Sequence, residues 1–170
     1  MRSQLENVEK VRDTPLTDLR LSSADSRIAL NCIKHLIKFV SKDDTDLHAI
    51  EYEGEPFPSR QRLLFDVGVH EIIISFACKL FDTKLCQGWA PGVTISNARD
   101  FREFNNICLH GYHLVRLMCK DNTYNGFAIA GAHSSKFLSQ AQLLSRVKGI
   151  DWDIPGVLEA MYHENASKLA

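Results

Sequence analysis

Two pairs of histidines are the residues best suited to chemistry by type and spacing. His110 and His113 stand three apart in a segment of helical pattern, with Asn106 and Lys120 on the same polar side. Imidazoles at that interval can share a metal ion. No cysteine or acid falls on the same stripe as a third ligand, so an ordinary solvated face is expected there. His70 and His133 each follow a glycine by two positions, at Gly68 and Gly131. Each is expected to start a helix and bond local backbone. Neither has a nucleophile beside it to support catalysis.

Other chemistries find less. There is no dinucleotide fingerprint, phosphate loop, nucleophile elbow or His-Glu-x-x-His. The cysteines do not form close zinc-binding pairs. Cys32, Cys78, Cys108 and Cys119 sit within apolar helical patterns, where a thiol acts as a small hydrophobe. Reduced thiols and a cytosolic setting are expected. The acids between Asp43 and Glu55 do not follow a calcium-loop spacing, so that stretch reads as a solvated loop. Trp89 reads equally as an anchor for a partner or as a residue tucked onto the domain. Neither a cofactor nor an enzymatic reaction is expected.

The elements that must position these groups are helices. The chain has 170 residues, enough for one domain with its own core. It is 45% hydrophobic and 24% charged, with a formal net charge of −1. That balance offers no attraction to nucleic acid or an anionic membrane. No run of about 18 apolar residues exists to span a bilayer, and Met1–Lys10 lacks the apolar stretch of a signal peptide. Residues 1–21 form a charged lead segment and 22–167 a single domain. Lys168-Leu169-Ala170 reads as a cloning remnant.

Ser22 and Asp25 have capping-box spacing at the start of a helix. Its apolar face carries Ile28, Cys32, Leu36 and Val40, flanked by Ala29, Ile33 and Ile37. A loop over 42–58 follows. Ser59 opens a helix that stops at Gly68, and Val69 begins another at once. Thr83–Asn97 is a second long loop. The longest helix spans about Ala98 to Lys120, with Phe101, Phe104, Cys108, Tyr112, Val115 and Cys119 on one stripe. Gly111 in that stripe invites a close neighbour, at a cost of about 1 kcal/mol relative to alanine. After Asp121-Asn122 come a short helix to Gly131, another through Val147, and a last one capped by Asp153 with Pro155 in its first turn.

Leu64-Phe65-Asp66-Val67-Gly68-Val69-His70 is echoed by Phe127-Ala128-Ile129-Ala130-Gly131-Ala132-His133. Both read as helix, glycine corner, helix. An all-α, armadillo-like α-solenoid of about six to eight helices with two long loops is the expected fold. Such units bury their faces against neighbouring repeats, so a larger parent chain or an oligomer is expected.

The segment Ser59-Arg60-Gln61-Arg62-Leu63-Leu64-Phe65-Asp66-Val67-Gly68-Val69-His70-Glu71 resembles one that recurs in the RIH domain, the homology domain of ryanodine and inositol trisphosphate receptors. Leu36–Val40, Leu114–Asp121 and Val157–Tyr162 agree with it in order, and the likeness covers about Ser22 to Tyr162. The resemblance implies a segment of an intracellular calcium-release channel on the cytoplasmic face of the endoplasmic or sarcoplasmic reticulum. Its partners would be other domains of a homotetrameric parent, and its role the relay of conformational change. In inositol trisphosphate receptors the first such domain gives basic residues to the ligand's phosphates. The matching place here, Asp121–Asn125, lacks the basic pair, which leans toward the ryanodine-receptor side. Arg60, Arg62, Arg116 and Lys120 are the candidate ligand-binding residues should an inositol phosphate bind. A free-standing armadillo adaptor is the alternative.

Overall fold

The computed structural model describes residues 22–41, 55–82, 99–145, 150 and 152–166. Among them are six helices and no strand: α1 (Ser23–Val40), α2 (Pro58–Asp66), α3 (Val69–Asp82), α4 (Arg99–Cys119), α5 (Thr123–Leu144) and α6 (Ile154–Ala166). Residues 42–54 of the acidic loop, the loop 83–97 with Trp89, the lead segment 1–21 and the last three residues lie outside the described residues. No described helix is long and apolar enough to cross a membrane.

Caps set most boundaries. Ser22 Oγ accepts the Asp25 amide at 3.1 Å, while its hydroxyl donates to the Asp25 carboxylate at 2.6 Å. The serine half of the capping box is therefore built as expected. The acid meets the serine hydroxyl, not a free amide. Pro58 starts α2, one residue before the expected start, because its missing N–H costs nothing at that position. Phe57 N–H donates to Val40 O at 2.8 Å, which returns the chain from the acidic loop to the end of α1. Gly68, at φ +75°, makes the sharp corner into α3. Asp153 Oδ1 accepts the Gly156 amide at 3.3 Å and caps α6.

The α4 helix is the axis: α1, α2, α3, α5 and α6 all pack on it. Phe104, Cys108, Tyr112, Val115 and Cys119 are buried as the stripe predicts. Ile107, Leu114, Leu117 and Met118 are buried too, because neighbours close in from every side. His110 and His113 are buried for the same reason, which corrects the expectation of a solvated face. His110 Nδ1 bonds Asn106 O at 2.8 Å within its own helix.

Two other expectations are corrected. Ile28 and Cys32 are exposed, and the buried line of α1 runs instead through Ser26, Ile37 and Val40. The apolar arc of α1 is wider than the strip that α4 covers. Gly131 makes no corner, since α5 runs unbroken through it. Glycine permits a left-handed turn without imposing one, and an intact α-helical ladder keeps every backbone group paired.

Gly111 does admit a neighbour. A β-carbon there would lie 2.8 Å from Ile73 Cγ2. Gly111→Ala is expected to destabilise by about 1 kcal/mol net, overpacking outweighing the gain in helix propensity. In an Ile73→Ala background the same change should become neutral or stabilising. Urea unfolding of the four chains of this cycle checks both values.

Candidate functional site

The Gly68 corner aims the first turn of α3 at the middle of α5. His70 and His133, 63 positions apart in sequence, thereby face each other, with ring centroids 6.2 Å apart. Glu71 reaches both: its Oε1 lies 2.8 Å from His133 Nε2 and 3.6 Å from His70 Nε2. The imidazoles are buried, at 7% and 4% exposure, while the carboxylate stays open to solvent. His70 stands at a helix start as expected, but its Nδ1 bonds no local backbone, and the helix-start expectation is corrected for His133. His133 lies mid-helix and bonds across to α3.

The hydrogen bonding fixes a tautomer. Lys136 Nζ lies 3.3 Å from His133 Nδ1. An ammonium can only donate, so Nδ1 accepts and Nε2 carries the proton donated to Glu71. That bond, first of all, holds the Glu71 carboxyl below its usual range. His70 differs. Its ring stacks on Phe65, with centroids 4.6 Å apart and planes 3° from parallel. Its Nδ1 is buried with no hydrogen-bond partner. Desolvation holds this imidazole below the usual histidine range, opposed by Glu71 and aided by His133. It is therefore neutral at pH 7, with a lone pair to offer. Beside the cluster, between α3 and α5, Ser75, Cys78, Ser135, Ser139 and Leu143 line an open groove.

Of the four candidate anion-binding residues, the three arginines have their side chains engaged within the domain. Arg60 donates to Phe39 O at 2.8 Å and lies over the Phe57 ring. Arg62 pairs with Asp66 at 2.9 Å and lies 3.8 Å from the Tyr124 ring centroid. Arg116 pairs with Asp153 at 3.0 Å. Lys120 lends its carbonyl to Gln61 at 2.7 Å.

Gln61 between the two arginines is the centre of a buried polar knot. Its Nε2 donates to Leu117 O and Lys120 O, each at 2.7 Å. Its Oε1 accepts from Asn122 Nδ2 at 3.1 Å. Asn125 Nδ2 donates to Gln61 O at 3.2 Å and Met118 O at 3.0 Å. Side chains from α2 and α5 thus satisfy carbonyls that the end of α4 leaves without helical partners. The family-like segment Ser59–Glu71 therefore carries two structural devices in one stretch: the α4 cap at Gln61 and the corner at Gly68.

The RIH domain model matches residues 30–169. The chain belongs to the RIH-domain family. In this RIH domain the match embraces α2 to α6 whole, together with most of α1. No curated protein and no solved structure matches the chain.

Sequence reasoning passed over Glu71, Lys136 and Gln61 as functional or structural centres. The echo of His70 and His133 was the available signal for the first two. It marked two residues that meet, although the local structures around them differ.

Proposed function

We propose that this RIH domain is a cytoplasmic segment of a tetrameric intracellular calcium-release channel, and that it relays conformational change by packing against other domains of its parent. The family match over 30–169 carries this reading. The reading places the six helices within an armadillo-like solenoid, whose units cover each other's apolar faces.

The surface supports a packing role. Val67 and Ile72, on either side of the Gly68 corner, are 62% and 70% exposed. Leu63, on α2, and Tyr124, Phe127 and Leu138, on α5, are exposed as well. A relay element needs such contacts with its neighbours, since a bias passes between sites only through groups that differ in contact between two states.

The test is Val67→Asp combined with Ile72→Asp in the full-length channel. Both side chains are exposed, so the isolated domain should keep its melting temperature within about 2 °C. Agonist-evoked calcium release should shift its half-maximal agonist concentration about fivefold or more, the range of ordinary coupling energies. Release identical to wild type would remove this face from the relay.

A further inference from the structure

The geometry points to a zinc site at His70, Glu71 and His133, a single ion clipping α3 to α5 beside the Gly68 corner. Two imidazoles and one carboxylate offer ligand atoms all within 4.8 Å of one another. Tetrahedral zinc with bonds of about 2.0–2.1 Å needs ligand atoms roughly 3.3 Å apart. The two measured separations, 2.8 and 3.6 Å, bracket that value. Rotation of the exposed Glu71 side chain adjusts both of these, while the separation of the two imidazole nitrogens, within 4.8 Å, is set by how α3 and α5 pack.

The state of His70 is the second observation. A polar ring buried this deeply normally has hydrogen bonds. Here Nδ1 has none, and Nε2 stands 3.6 Å from Glu71, beyond hydrogen-bond reach. A cation between Nε2 and the carboxylate would give Nε2 the partner that the 3.6 Å gap to Glu71 denies it, while Nδ1 would carry the ring proton and stay without an acceptor, a cost the site bears. Imidazole with carboxylate suits zinc and related first-row ions; calcium and magnesium favour all-oxygen sites. Three protein ligands leave the fourth position to water on the side where Glu71 meets solvent.

Lys136 makes the inference sharp. Zinc on His133 Nε2 requires the ring proton to move to Nδ1, where it would face the Lys136 ammonium instead of an acceptor. Metal-bound histidines ordinarily donate that second N–H. Lys136 is exposed and can withdraw, but its presence weakens the site. Lys136→Gln supplies an amide oxygen that can accept the Nδ1 proton and removes the positive charge. It should tighten zinc binding about tenfold, at the low end of the effect of outer partners on metal sites.

Zinc chloride titrated into the whole chain by calorimetry, with and without a chelator, is the experiment. One ion per chain is expected. Affinity should fall at least tenfold in Glu71→Gln and His70→Gln, rise in Lys136→Gln, and stay unchanged in Cys32→Ser. Cobalt in place of zinc should give the visible bands of a tetrahedral site, absent in Glu71→Gln. Should His70→Gln fail to fold, Glu71→Gln and Lys136→Gln decide the matter, since both alter exposed side chains. No binding, or binding indifferent to Glu71 and Lys136, overturns the site and leaves a hydrogen-bonded clamp between two helices.

Discussion

Gln61→Leu is expected to cost about 3 kcal/mol, a large fraction of the stability of a domain this size. The substitution preserves volume but removes both amide donors. Leu117 O and Lys120 O then lose the partner that caps α4, and Asn122 Nδ2 loses its acceptor. Each buried polar group left alone costs roughly 1–3 kcal/mol. The carbonyl at Lys120 is nearer solvent and can recover part of its loss through water. Thermal unfolding should show a fall of about 6–12 °C, at roughly 2–4 °C per kcal/mol. Arg62→Ala, one residue on, serves as the control. Its ion pair with Asp66 is exposed, and such pairs contribute little to stability. A Gln61→Leu chain that melted within 2 °C of wild type would show that the knot is not what fixes the end of α4.

Trp152→Ala should cost about 3–5 kcal/mol, the usual range for deleting a buried aromatic side chain. Trp152 stands just ahead of α6, yet it is among the most deeply buried side chains. Its ring lies 6.1 Å from Phe104 and 5.7 Å from Tyr112, and its Nε1–H donates to Asn105 Oδ1 at 2.7 Å. It therefore fastens the approach to α6 onto α4. Hydrogen exchange separates this role from a general loss of stability. Amides of Val157–Met161 should lose protection more than those of α2, because α6 can detach while the rest of the bundle persists. Trp152→Phe keeps most of the packing and loses the hydrogen bond, so a cost near 1 kcal/mol is expected. Equal loss of protection in α2 and α6 would mean that the tryptophan supports the whole core and not one helix.

The two substitutions mark different halves of the same design. Gln61 satisfies the backbone at the end of the central helix. Trp152 and the aromatic side chains around it fill the space beside that helix. Both act on α4, which every other described helix touches. Glu71 and the two histidines stand apart from this framework, joining α3 to α5 near the surface. A ligand there can change how those two helices meet without entering the core.

By itself the sequence determined most of the helices and many of their ends, but it divided α5 in two. Period and capping are local: Ser22 with Asp25, Gly68 and Asp153 act within a turn or two of where they stand, and they mark ends of α1, α2, α3 and α6. The family likeness was legible for the same reason, since it rests on ordered helical patterns along the chain. Gly111 could be read as a close approach because few other reasons exist for a glycine within an apolar stripe.

What only tertiary structure decided was which faces have neighbours. Part of the polar side of α4 became interior because five described helices pack on it, so His110 and His113 were misplaced by periodicity alone, while Asn106 stays exposed. Ile28 and Cys32 were misplaced the other way, on the part of α1 that α4 does not cover. Gly131 stayed helical because nothing around it demanded a turn, and no local signal separates it from Gly68. The meeting of His70, Glu71 and His133 depends on how the Gly68 corner lays α3 against α5. Burial, pairing and proximity between distant residues are sums over the whole packing, and a one-dimensional pattern carries only the part of that sum that repeats along one helix.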